Sequence, residues 1–332
     1  MLNNKIVLLT GGTGSFGKSF IEKIIESYPK IKKLIIYSRD ELKQYELAEQ
    51  IDLKKNKFIR FVIGDIRDKD RLKFAFDEVD IVVHAAALKQ VPTAEYNPIE
   101  FIKTNVIGAQ NIIDCCLETN VKKVIALSTD KATAPINLYG ATKLCSDKLF
   151  IAANNIVGKR DLKFTIVRYG NVNGSRGSII PFFLEQKKTG LLTITDPEMT
   201  RFSIHLQHGV NMVLNAIRAN LSGGEIFVPK IPSFKILDLA KAICQKCEIK
   251  YIGIRPGEKV HEQMITENDS LNTFEGKKDY VILPSHDQVR RNFYLKNKDY
   301  KPVKKGFSYD SKNNDTFLSI SELKKIVSLF EK

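Results

Sequence analysis

Lys5-Ile6-Val7-Leu8-Leu9-Thr10-Gly11-Gly12-Thr13-Gly14-Ser15-Phe16-Gly17 is the stretch on which the fold turns. A run of apolar residues enters a turn with Gly11, Gly14 and Gly17 at G-x-x-G-x-x-G spacing, and an amphipathic pattern follows at 16–27. A buried strand, a tight turn and a helix N-terminus with free N–H groups together cradle a pyrophosphate. The expectation is a dinucleotide site opening a βαβ unit, with Thr13, Ser15 and Phe16 beside the glycines.

The pattern repeats outward. Short, continuously apolar runs at 34–37, 58–63, 81–85, 124–127 and 164–169 alternate with helical patterns at 41–50, 69–76, 101–119 and 138–154. Continuous rather than alternating apolar strands mean burial on both faces. The fold class is therefore α/β, a Rossmann-type doubly wound parallel sheet with a smaller C-terminal substrate domain. We expect a dinucleotide-binding domain over 1–170, rejoined at about 205–230 by a helix at 206–219 and an apolar run at 225–228. A substrate region takes 171–332, including a strand at 191–194 and a last helix at 319–330.

Two further stretches carry chemistry. After the second strand, where NAD enzymes commonly place an acid on the ribose, stand Ser38 and Arg39, which suit a 2′-phosphate and favour NADP. Asp40, next in line, can cap the following helix, and Asp65 is placed to meet the adenine or to close a turn. The fifth strand ends in Ser128-Thr129-Asp130-Lys131, and the next helix carries Tyr139 and Lys143 one turn apart on one face. A tyrosine is a poor base at neutral pH, and a lysine ammonium beside it is a physical means of lowering its pKa.

Composition narrows the class. The 332 residues carry a formal charge of +14, with 43% hydrophobic and 27% charged residues, an ordinary globular balance that excludes disorder. Lysines are spread as separate doublets rather than basic runs, so we expect a solvated surface that steers anionic ligands and no nucleic-acid partner. No apolar run approaches the roughly 20 residues of a membrane span, and no leader pattern opens the chain, so no membrane partner and a cytoplasmic location are expected. Five cysteines point to reduced thiols, with Cys115 and Cys116 in the core. Cys244 and Cys247 have C-x-x-C spacing without a second pair, so no metal is expected there.

With these motifs on one chain, the sequence resembles the extended short-chain dehydrogenases/reductases. Within them it is similar to inverting UDP-N-acetylglucosamine 4,6-dehydratases, including the type that opens pseudaminic acid synthesis. The matching blocks are the glycine turn, 37–41, His84-Ala85-Ala86-Ala87-Leu88-Lys89, Ser128-Thr129-Asp130-Lys131, the Tyr139 block, Arg168-Tyr169-Gly170-Asn171-Val172 and Arg255-Pro256-Gly257-Glu258-Lys259. The resemblance implies a bound NADP touched also by Ala85 and Ala86, a UDP-sugar substrate, and a homo-oligomer. It implies Asp130 as acid and Lys131 as base where most relatives carry Asp-Glu, with Thr129 as a hydroxyl beside them. Lysine serves as a base only if its pKa falls towards neutrality; a structural or phosphate-binding cation is the other reading. Lys89, Asn171, Arg176, Arg201, Arg255 and Glu258 fall where such relatives hold the nucleotide-sugar, and Asn105 falls near the nicotinamide.

A UDP-sugar 4-epimerase would need Tyr139 and Lys143 but not the Asp130–Lys131 pair. An NADP-sensing regulatory protein could retain the glycines and lose the tyrosine.

Overall fold

The chain is described here by a computed structural model covering residues 2–175, 177–219, 222–285 and 287–331. Six parallel strands form as the sequence requires: β1 (Ile6–Thr10), β2 (Lys33–Ser38), β3 (Ile59–Ile63), β4 (Ile81–His84), β5 (Lys123–Thr129) and β6 (Lys163–Tyr169). They lie in the order β3-β2-β1-β4-β5-β6, and Ile226–Pro229 adds a seventh parallel strand beside β6. The strand order reverses between β1 and β4, which opens a crevice at their C-terminal ends. Register brings Thr10 opposite both Tyr37 and His84, and Thr129 opposite Tyr169, so the residues of interest share one edge.

The sheet does not stop there. Asp279–Ile282, Thr273–Glu275 and Lys301–Pro302 extend it as antiparallel strands, giving ten strands among the described residues. Part of the tail, where the sequence shows no motif, thus belongs to the main sheet. A separate, smaller core gathers Ile180, Phe183, Leu192, Ile194, Leu239 and Ile326 from the helices Ile179–Lys187, Ile236–Ile243 and Ile320–Ser328 and the strand Leu191–Ile194. The last helix begins with a capping box in which Ser319 and Glu322 satisfy each other's backbone N–H.

Two expectations need correction. The helix expected over 101–119 is broken: a short turn Pro98–Phe101 leads into a π-helical turn Ile102–Ile107, and the regular helix is Gly108–Glu118. The widened turn rotates Asn105 inward, where it is 2% exposed. The thiols are not all reduced, because Cys244 and Cys247 form a disulfide. The helix Ile236–Ile243 ends at Cys244 in extended backbone, and the chain turns back to bring the two Cα atoms within 5.4 Å. Cys115 and Cys116 are buried, as expected.

Packing holds the later helix against the sheet. Phe150, fully buried on the helix Leu138–Ala153, meets the rings of His84 and Phe164 at 5.6 and 6.1 Å. Truncating such a side chain costs about 3–5 kcal/mol. Among the described residues no helix is long and apolar enough to cross a membrane.

Candidate active site

A cavity of about 770 Å³ runs along the C-terminal edge of β1, β2, β4 and β5. Its floor at one end is the glycine turn. Gly11 has φ +67°, and a Cβ there would sit 2.8 Å from the Ala86 nitrogen, so the turn presses directly on the chain leaving β4. A Cβ at Gly17 would sit 2.2 Å from the Gly12 carbonyl oxygen, which is why the helix Ser15–Ser27 can close on the turn. That helix has no side-chain cap at Gly14 and no acid in its first turn. Its leading N–H groups are therefore offered to an anion, and a pyrophosphate fits the cradle.

Gly11, Thr13, Gly14, Ser15, Phe16, Ser38, Arg39, Asp65, Ala85 and Ala86 all line this cavity; Gly17 lies behind it. The Ser38 hydroxyl oxygen accepts from Gln44, which leaves its proton to donate. Arg39 is 53% exposed, with its guanidinium 3.7 Å from Asp65, whose carboxylate also pairs with Arg67 at 2.7 Å. Asp40 caps the following helix through Lys43 N–H.

At the other end stand Thr129, Asp130, Lys131, Tyr139 and Lys143. Asn137 caps their helix by accepting from Gly140 N–H at 2.7 Å. Gly140 is there for close approach: a Cβ would sit 2.2 Å from the Lys131 carbonyl oxygen. This contact holds Tyr139 beside the Asp130–Lys131 loop. Thr129 accepts from Lys131 N–H, and its hydroxyl donates to Asp130 Oδ1 at 2.9 Å.

The electrostatics correct two expectations. Lys131 is not lowered towards neutrality. Burial pulls its pKa down, but the carboxylates of Asp130 at 3.2 Å and Glu262 at 2.9 Å outweigh this and hold it above the usual lysine value. Tyr139 is pushed up to about 12 by burial, and the cation that opposes this is Lys131. Lys143 lies one turn from Tyr139 but donates to the Leu127 carbonyl at 2.8 Å, and burial lowers its own pKa. Asp130, 1% exposed, is raised by burial, which suits it to hold and give a proton. Its Oδ2 has no hydrogen-bond partner among the described residues.

The residues expected at the nucleotide-sugar are dispersed. Lys89 and Asn171 line the cavity. Arg201 is buried and committed to the carbonyls of Thr200 and Val260, with Glu258 at 3.4 Å. Arg255 is exposed and lies over the Phe182 ring at 5.8 Å, and Arg176 lies outside the described residues. Asn105 is held by Leu88, accepting from its N–H and donating to its carbonyl, and it donates to Thr142.

The segment 255–262 instead clamps the acid/base loop. Lys259 donates to the Thr133 carbonyl, Asn137 to the Gly257 carbonyl, and Glu262 pairs with Lys131. Arg168 adds a buried link, donating to Thr133 Oγ1 and the Met264 carbonyl and pairing with Asp147 at 3.1 Å. Sequence reading missed Glu262, Lys259, Thr133 and Asp147 as parts of the site. The one usable signal is that a lysine beside an apolar strand end needs carboxylates to neutralise it.

Comparison with known proteins places the chain. The profile of the family described as polysaccharide biosynthesis protein matches residues 7–284. An inverting UDP-N-acetylglucosamine 4,6-dehydratase of Campylobacter jejuni subsp. jejuni serotype O:2 is 53% identical, over 99% of this chain and 98% of that protein. A UDP-glucose 4-epimerase of Rickettsia canadensis is 43% identical, over 86% and 84%. The X-ray structure of Pen from Bacillus thuringiensis superposes with a TM-score of 0.89 at 35% identity, over 100% of this chain and 99% of that one. With that profile spanning most of its length and carrying both the glycine turn and the Tyr139 helix, the chain belongs to the polysaccharide biosynthesis protein family.

Proposed function

We propose that this protein is an inverting UDP-N-acetylglucosamine 4,6-dehydratase, a hydro-lyase that uses NADP and serves pseudaminic acid or a related surface glycan. The observation that carries the reading is the Asp130–Lys131 pair at the end of β5, facing Tyr139 across the same cavity as the glycine turn. An epimerase needs the tyrosine and no such pair. Identity over nearly the full length to the C. jejuni dehydratase supports the same choice.

A nicotinamide dinucleotide, when bound, supplies a hydride acceptor for carbon 4 and returns the hydride to carbon 6. Tyr139 takes the proton of the 4-hydroxyl as that carbon is oxidised, with Lys131 providing the nearby positive charge that favours its phenolate. The resulting ketone acidifies carbon 5. Asp130, whose pKa burial raises, gives a proton to the leaving 6-hydroxyl, Lys131 takes the carbon 5 proton, and Tyr139 then gives the proton it gained in the oxidation to the opposite face of carbon 5 as the hydride returns to carbon 6. Lys89 and Asn171 are the cavity residues we assign to the substrate, while Arg201 and Glu258 act by holding the wall behind it. Arg39 and Ser38 favour the 2′-phosphate of NADP.

An NMR time course with UDP-N-acetylglucosamine in heavy water tests the reading. The expected product is the 4-keto-6-deoxy sugar inverted at carbon 5, deuterated there, with the hydrogen moved from carbon 4 to carbon 6 unexchanged. Simple inversion of the 4-hydroxyl would overturn dehydration in favour of epimerisation, and a product retained at carbon 5 would overturn the inverting assignment.

A further inference from the structure

Lys131 poses a chemical difficulty that the fold itself resolves. An ammonium cannot accept the carbon 5 proton until it has given one away, and Lys131 is held as an ammonium between Asp130 and Glu262. The nearer is Glu262 Oε1 at 2.9 Å, against 3.2 Å for Asp130 Oδ1. Glu262 is 2% exposed and lies behind Lys131, away from the cavity that Lys131 and Asp130 line. Its second oxygen, Oε2, is buried with no hydrogen-bond partner among the described residues. A carboxylate placed one lysine away from the cavity has no access to a sugar, but it has access to the lysine's protons.

We infer that Glu262 is a positioning residue that stores the carbon 5 proton, with Lys131 as the relay between substrate and store. The inference rests on the dehydratase reading and adds a residue to it. In the elimination the C5–H bond breaks and its proton bonds to Lys131 Nζ, while Nζ releases another of its protons to Glu262. The C5–H electron pair becomes the C5–C6 double bond. The C6–O bond breaks with its electron pair, and the departing hydroxyl takes the Asp130 proton to leave as water. Glu262 has then gained a proton and Asp130 has lost one; Lys131, hydrogen-bonded to Asp130 and paired with Glu262, passes the stored proton on to Asp130, so the acid is restored and carbon 5 takes its new proton from elsewhere. No charge is created in the site at any point beyond those already there.

The charged groups facing Glu262 favour its ionised form, so a proton that it receives is readily given back. Lys131 and Asp130 face it from the end of β5, Arg201 from the strand Thr200–Phe202 at 3.9 Å, and Lys259 from its own segment. Three cations, Lys131, Arg201 and Lys259, act on Glu262, and Arg201 is shared with Glu258 at 3.4 Å. Burial raises the Glu262 pKa, and Lys131 with Arg201 outweighs it, so the resting Glu262 is ionised.

The test compares wild type, E262Q and E262D as full-length protein with bound dinucleotide, on UDP-N-acetylglucosamine with and without deuterium at carbon 5. In E262Q kcat should fall about 10²-fold with KM within about twofold, as for loss of a proton-transfer group. The carbon 5 isotope effect on kcat should rise, and E262D should recover about tenfold of the loss. E262Q should also regain activity with rising pH, about tenfold per pH unit, because without Glu262 the lysine must lose its proton to solvent before acting, whereas wild type should stay flat. A merely structural glutamate predicts none of these. E262Q within about threefold of wild type, or equal losses in E262Q and E262D with no change in isotope effect or pH slope, would overturn the inference.

If E262Q does not fold, E262D and wild type carry the test through the nitrogen-15 resonance of Lys131 Nζ, assigned with K131M. It should remain an ammonium at pH values where surface lysines have titrated; titration with or before them overturns the store. A wild type that removes no water from the sugar sinks the proposed function itself, whereas an active wild type with an unshifted E262Q sinks only the role of Glu262.

Discussion

Lys259 Nζ donates to the main-chain carbonyl of Thr133 at 2.7 Å, joining two segments 126 residues apart. The acid/base loop is thereby held from outside its own strand and helix. Lys259→Met should cost about 1.5–3 kcal/mol of stability, the range for a hydrogen bond to a charged group. Because the glycine turn lies at the other end of the cavity, kcat should fall about tenfold with dinucleotide affinity unchanged. Thermal unfolding, calorimetric titration and initial rates check this; equal losses of affinity and rate would show that the two ends are not separable.

His84 makes acid sensitivity predictable. It is buried at the end of β4, where Thr10 Oγ1, accepting from Ala85 N–H and Ala86 N–H, donates to His84 Nδ1 at 2.9 Å. Burial, aided by Lys143, pushes the imidazole down to about 3. The folded pKa lies below the unfolded value of about 6.5, so this contribution is intact above that pH and is lost as pH falls towards 3. Between pH 7 and about pH 5 the loss should be about 2 kcal/mol. Urea unfolding at both pH values should show a smaller drop in His84→Gln; identical drops would place the acid sensitivity elsewhere.

Arg39, more than half exposed beside the cavity, should discriminate between dinucleotides. Arg39→Ala should weaken NADP about 10- to 100-fold, corresponding to a charge-assisted hydrogen bond, and leave NAD nearly unchanged. Calorimetric titration with each dinucleotide measures the ratio. Denaturing the purified protein and identifying the released dinucleotide gives a second check, since NAD as the dominant species would overturn the choice of NADP.

Asp130→Asn and Tyr139→Phe should each slow turnover about 10²- to 10⁴-fold, but at different steps. Rapid mixing should show the absorbance of reduced nicotinamide building up in Asp130→Asn, where oxidation still proceeds, and not in Tyr139→Phe. Accumulation in both, or in neither, would merge the two roles.

The parallel sheet and the glycine turn were legible because they are local: apolar runs of about four to six residues and glycines three apart report their own environment. So was the placement of Tyr139 and Lys143 one turn apart on one helix, but not that Lys143 turns to the Leu127 carbonyl and leaves Lys131 as the cation acting on Tyr139. The partners of Lys131 were not, since Glu262 reaches it from 131 positions away and nothing in either neighbourhood announces the other. Arg201 and Arg255 look alike in sequence, yet one is buried among carbonyls and carboxylates and the other lies on an exposed ring. The strands of the tail escaped because Thr273–Glu275 and Lys301–Pro302 are too short for a period to show. The paired state of Cys244 and Cys247 depends on the chain turning back after its helix, which spacing alone does not fix.

Asn105, turned inward by the π-helical turn, presents to Leu88 one donor and one acceptor in the arrangement of a neighbouring peptide group. The side chain thus stands in for a strand that the sheet lacks at this point, completing the backbone of the segment that leaves β4 before it reaches Lys89. Such mimicry tolerates little substitution: aspartate would set an oxygen against the Leu88 carbonyl, leucine would strand both main-chain groups, and glutamine would carry its amide one methylene too far. A single amide therefore fixes the path of a cavity wall that no ladder of strand hydrogen bonds holds.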